Sequence, residues 1–235
     1  MLRLAARRVL QLVGLLPLIL ALGPAQAGAA GGSVTGTVEV LKKGGAGRHG
    51  DADNAVVWLS GPKSPTPESP VMVNQLKKKF RPRVLPVVKG QVVHFMNQDR
   101  IEHNVFSRGG KGFDLGRYPQ NEFRPVTFDK PGVFKVYCNI HKAMILDVVV
   151  LENDYYAVTD EEGVFAIEGV PPGTYKLNVW HIYGGSNSRD VEIGGEPVAI
   201  TPISVTSTKV VREVEEHLDK QGKPYTNKKK RYKRR

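Results

Sequence analysis

The single cysteine of the chain, Cys138, stands in the stretch "YCNIHKAM", with His141 three positions on and Met144 three further. A thiolate, an imidazole and a thioether are soft or borderline donors, a set that suits copper better than the oxygen-seeking Mg²⁺ or Ca²⁺. Copper's trigonal His₂Cys arrangement with a long axial methionine needs one more imidazole. A third close ligand from so short a loop would be strained, so that imidazole must come from elsewhere. The candidate is His103 in "NQDRIEHNVFS", an Asp/Asn-rich turn that runs into a strand pattern. Each residue also has a plainer reading: Cys138 as a small buried hydrophobe, His103 as a turn residue, Met144 as core. His49, His94, His181 and His217 have no ligand spacing and read as structural. No Ser/His/Asp or paired-carboxylate array is recognisable. The Gly-x-Gly of "GGKGFDLG" (109–116) has no helix pattern after it, so it is no nucleotide fingerprint. The chain therefore reads as a non-enzyme.

The compartment bears on what a lone thiol can do. Arg3, Arg7 and Arg8 precede an apolar run from Val9 to Leu22, and Ala25-Gln26-Ala27 offers a small-residue cleavage site. Residues 1–27 thus read as a secretory signal, which predicts a periplasmic or extracellular protein. The other reading, an uncleaved anchor, suffers from a short apolar run broken by Gly14 and Pro17. Exported domains normally pair their cysteines, and with one cysteine no intramolecular disulfide is possible. The formal charge of +11 is concentrated at the end, where "KQGKPYTNKKKRYKRR" (220–235) carries nine Lys/Arg and no acid. Residues 209–235 therefore read as a basic, disordered tail suited to an anionic surface or an acidic partner; nucleic acid is disfavoured by export.

The elements that would hold the candidate ligands are strands. Between the signal and the tail lie short runs rich in Val, Ile, Phe and Tyr, punctuated by Gly, Pro, Asn and Asp, with no sustained helical period. Expected strands are 34–41, 55–60, 70–75, 84–88, 91–96, 103–107, 124–128, 132–138, 144–151, 155–159, 163–168, 173–182, 189–193 and 203–211. In "GVFKVYCNIH" the alternation puts Cys138 on the face of Phe134 and Val136, at the end of a buried strand. The stretch "GPKSPTPESP" (61–70) reads as a stiff linker. The fold class is all-β.

Two resemblances refine this. "VKGQVVHFMNQDRIEHNVFS" and "FDKPGVFKVYCNIHKAMILDVVV" resemble a cupredoxin of the plastocyanin type, through Gly90, Val93, Phe95, Asn97, His103, Asn104, Val105, Pro131, Gly132, Phe134, Val136, Cys138 and His141. The resemblance implies a Greek-key β-sandwich over 68–152 that holds one copper through His103, Cys138, His141 and Met144, with Asn104 tying the ligand loops together. The departure is the His–Met spacing: two residues intervene here, where plastocyanin-type loops have four. Separately, "VTGTVEV … NAVVWLSGP" (34–62) and "AVTDEEGVFAIEGVPPGTYKLNVWH" (157–181) resemble the two halves of a carboxypeptidase regulatory-like β-sandwich. Neither 33–62 nor 153–208 is long enough alone to bury much core. Joined, they make a normal domain, so the copper domain is expected as an insertion between them; the alternative adds 33–60 to the cupredoxin.

The function these readings imply is one-electron transfer with an unidentified redox protein. Two alternatives stand beside it. One is a copper carrier or reservoir. The other is a metal-free adhesion or carbohydrate-binding sandwich using Tyr155, Tyr156 and Trp180.

Overall fold

The structure is a computed structural model, and it describes residues 31–50, 52–108, 112–208 and 217–225. All the regular structure in those residues is β. In chain order the strands are β1 (Gly32–Leu41), β2 (Val56–Ser60), β3 (Val71–Gln75), β4 (Phe80–Arg81), β5 (Val84–Val88), β6 (Val92–Asn97), β7 (His103–Ser107), β8 (Phe113–Tyr118) and β9 (Phe123–Thr127). There follow β10 (Gly132–Tyr137), β11 (Ile145–Leu151), β12 (Tyr156–Val158), β13 (Val164–Val170), β14 (Gly173–Trp180), β15 (Ser186–Ile193), β16 (Val198–Ala199) and β17 (Ile203–Thr206).

Two sheets, β5-β11-β10-β7-β8 and β4-β3-β6-β9, enclose one core. Strand alternation supplies it: Val93 and Phe95 of β6 point inward to meet Val136, Leu146, Val148 and Cys138. The other two sheets, β12-β2-β14-β15 and β1 with β13, β16 and β17, enclose a second core around Val38, Leu59, Phe165, Leu177 and Val179. Strands from both flanks of the middle segment build this second sandwich. β1 pairs antiparallel with β13, and β2 with β14 from Val56↔Trp180 to Ser60↔Lys176.

β11 is buried along its whole length, which alternation alone would not produce. Leu146, Val148 and Val150 enter the first core, while Val149 and Leu151 meet Val56, Trp58, Tyr156 and Trp180 of the other sandwich. The continuous apolar run "ILDVVVL" is thus covered on both faces. Its one charge, Asp147, is fully buried; it pairs with Arg83 and accepts from Lys135 Nζ at 2.7 Å. Where the chain crosses between sandwiches, buried Asn153 joins both passages, donating through Nδ2 to the carbonyls of Leu59 (2.9 Å) and Pro62 (2.8 Å).

No helix among the described residues is long and apolar enough to cross a membrane. The expected signal, 1–27, lies outside the described residues, as do 209–216 and 226–235 of the expected tail.

Candidate metal centre

The donor atoms converge at one end of the first sandwich. His103 opens β7, and Cys138 follows directly on β10, which runs antiparallel to it with Tyr137 opposite Phe106. The loop after β10 turns back at once: Met144 N–H donates to the His141 carbonyl at 2.9 Å, and Cys138 N–H to the Met144 carbonyl at 3.3 Å. Cys138 Sγ consequently stands 3.7 Å from His103 Nδ1 and 3.7 Å from His141 Nδ1. All three donor atoms lie within 4.8 Å of one another. With metal–sulfur and metal–nitrogen bonds of about 2.3 and about 2.0 Å, a trigonal ion separates sulfur from nitrogen by about 3.7 Å. The three residues therefore fit a single ion. Met144 is fully buried in the same core cluster as Cys138.

The surroundings fix which nitrogen faces the sulfur. His103 Nε2 donates to Asp99 Oδ2 at 2.8 Å, which leaves Nδ1 as the free lone pair on the sulfur side. Asp99 is itself held by the main-chain amides of Lys77 (2.7 Å) and Lys78 (2.8 Å), both at positive φ in the hairpin after β3. Burial opposes ionisation of Asp99, but the Lys78 amide, His103 and the Lys77 amide outweigh it and hold its carboxyl below the ordinary range. Asn97 shapes the intervening loop: its Nδ2 donates to the Ile101 and Tyr118 carbonyls, and its Oδ1 accepts from Asp99 N–H.

Asn104 takes the bridging position expected of it. Its Oδ1 accepts from Asn139 N–H in the cysteine loop at 3.3 Å, while its Nδ2 donates to the Gly116 carbonyl at 3.0 Å and to Asp114. Burial pushes the Cys138 thiol up, although main-chain N–H groups of Asn104, Ile140 and His141 partly offset this. Burial, with His103 and Lys78 nearby, lowers His141 and so favours its neutral form, the one a metal requires. A buried sulfur with N–H donors around it and two imidazole Nδ1 atoms 3.7 Å away suits a bound cation better than a free thiol.

A segment that the sequence assigned to the tail also reaches this site. Residues 217–225 lie across the ligand loop: His217 N–H donates to the Lys142 carbonyl (3.1 Å), and Lys220 N–H to Asn139 Oδ1 (2.8 Å). Tyr225 Oη donates to the Cys138 carbonyl at 2.8 Å. The His217 ring stacks on Tyr137, with centroids 4.4 Å apart, and Lys220 Nζ pairs with Asp114. His217 has no ligand spacing, and nothing in its neighbours foretells this docking. Asp99, four residues before His103, was equally invisible because its partners come from a separate hairpin. His181 and His49 have the structural roles expected of them: His181 Nε2 meets the Asp53 carbonyl at 3.0 Å, and both rings pack on Tyr183. Tyr156 and Trp180 pack at the junction of the sandwiches, and Tyr155 against the second core.

No protein-family model matches the chain, and no curated protein does. Among solved structures, a copper-containing nitrite reductase from Thermus scotoductus aligns over 40% of this chain and 25% of its own, at 28% identity and a TM-score of 0.35. A Cu(I) amicyanin mutant aligns over 42% of this chain and 100% of its own, at 20% identity and a TM-score of 0.34. The chain thus spans about a quarter of the reductase it matches. The site is defined by its own donor atoms.

Proposed function

We propose that the chain is an exported cupredoxin that would bind one copper ion through His103, Cys138, His141 and Met144, and carry single electrons. The observation that supports it best is the buried thiol with two imidazole Nδ1 atoms, each 3.7 Å away. Bound there, copper would supply reversible one-electron exchange between its Cu(I) and Cu(II) states.

The chain's own part is to keep the donors in place. Asp99 holds the His103 tautomer, and Asn104 ties the cysteine loop to the strand that carries His103. The backbone turn at His141–Met144 fixes the spacing of the loop ligands. Donors held in this way need little movement when the charge of the ion changes, which favours rapid electron exchange over metal release.

The test is to add Cu(II) to the purified protein and record its visible spectrum. An intense thiolate-to-copper charge-transfer band, lost in Cys138→Ser, is the expected result. A folded protein that takes up no copper, or shows no such band, overturns the reading.

A further inference from the structure

Away from the candidate centre, the sheet β4-β3-β6-β9 turns a second face outward, and strand register gathers an unusual group of side chains there. β3 and β6 run parallel, with Met72 opposite His94 and Asn74 opposite Met96. On the other flank β9 runs antiparallel, with Phe123 opposite Met96 and Pro125 opposite His94. In β6 the inward positions are Val93, Phe95 and Asn97, so His94 and Met96 share the outer face. The chain has four methionines; Met1 is the first residue and Met144 belongs to the centre above, so the remaining two both flank His94.

The exposures suit a ligand site better than packing. Met72 is 42% exposed and Phe123 46% exposed, while His94 and Met96 are half-buried. The His94 imidazole has no hydrogen-bond partner among the described residues; its ring stacks on Phe123, with centroids 4.3 Å apart and planes 27° from parallel. That contact steadies the ring and leaves its nitrogens available.

We propose that Met72, His94 and Met96 form a second metal site, specific for Cu(I), built from two thioether sulfurs and one imidazole nitrogen. Neighbouring strands stand about 4.8 Å apart, and residues two apart on a strand about 7 Å. Unbranched methionine side chains with three rotatable bonds span those gaps readily. Thioether donors are neutral and soft, so they select Cu(I) over Cu(II), Zn²⁺ or hard cations. No register position of this face in β3, β6 or β9 carries a carboxylate that would favour a hard ion. An exposed site of neutral donors exchanges its ion easily, the opposite of the buried thiolate centre. It therefore suits capture of Cu(I) and hand-over, and it does not depend on the Cys138 centre being functional.

The experiment is an anaerobic Cu(I) titration of the purified protein against a chromophoric chelator, beside the double variant Met72→Leu/Met96→Leu. Leucine keeps the outer face apolar and close in volume, and unchanged circular dichroism and thermal midpoint check that the variant is folded. The wild type should retain one more equivalent of Cu(I) than the variant, whether or not the Cys138 centre binds copper, or bind that equivalent at least tenfold more tightly. In parallel, Ag(I) added to protein with ¹³C-labelled methionine methyl groups should shift the Met72 and Met96 signals. Equal Cu(I) retention in the two proteins, or Met72 and Met96 signals that stay in place, would overturn the site and leave the patch as a plain apolar surface.

Discussion

Asp99 governs the chemistry of His103 without touching any other candidate donor. By accepting from Nε2 it fixes the ring so that Nδ1 faces the sulfur, and two main-chain amides in turn fix Asp99. In Asp99→Asn the amide nitrogen cannot accept, and at least one of the three hydrogen bonds is lost or reversed. Copper affinity should fall about 10–100-fold, the usual effect of losing such a partner, read by competition with a chelator; an unchanged affinity would deny Asp99 the role. Met144 calls for a different variant. Met144→Leu keeps the core volume, so the fold should lose less than about 1.5 kcal/mol, while the potential and the charge-transfer spectrum move if the thioether reaches the ion. An unchanged spectrum would make Met144 core alone. As candidates, Cys138 and His141 were legible from their types and spacing, and His103 from the need for a second imidazole and the cupredoxin resemblance. Asp99 was not, because its meaning depends on the amides of Lys77 and Lys78 in another hairpin.

At the level of elements, alternation made β6 and β10 readable; Cys138 is buried as expected, but it lies one residue past the end of β10, and that strand is mostly half-buried or exposed. Alternation failed for β8, which has no counterpart among the expected strands; there Gly116 adopts positive φ and the pairing of β8 with β7 shifts register between Asn104 and Phe106. β4 and β16, two residues each, are too short to leave a pattern. The segment 217–225 was unreadable for another reason: it is held by scattered hydrogen bonds, the ring stack of His217 on Tyr137 and the Lys220–Asp114 pair, none of which forms an apolar face with a period. The hydrogen bonds restrain the backbone of Cys138 and Lys142 and the side chain of Asn139. Removing residues 209–235 should leave the fold and the copper spectrum in place but speed copper loss several-fold, measured by stopped-flow transfer to a chelator. The pair between Lys220 and Asp114 is largely solvated and should contribute at most about 1 kcal/mol. The effect of truncation should therefore vary little with salt; a strong salt dependence would mean that charge, not the loop contacts, holds the segment.

The whole molecule poses the question of whether the middle segment is an insertion. Its first and last residues approach each other, because Asn153 bonds the carbonyls of both Leu59 and Pro62. The second core draws all its buried residues from the two flanks, and the first core draws all of its own from the middle. A chain in which 63–152 are replaced by a three-residue turn should therefore still fold, since a short closure costs less entropy than the long excursion it removes. The cost lies at the junction, where Val56, Trp58, Trp180 and Ile182 would lose Val84, Val149 and Leu151 as neighbours. At about 25 cal/mol per Å² of apolar surface, uncovering them also invites association. Trp58→Thr and Ile182→Thr in the shortened chain should restore solubility. Such a chain should show β-rich circular dichroism and a single cooperative melt, while 63–152 alone should still bind copper. An unfolded shortened chain in soluble form, or a middle segment unable to hold the metal, would mean that the two sandwiches fold only as one unit and that the boundary has been drawn through a single domain.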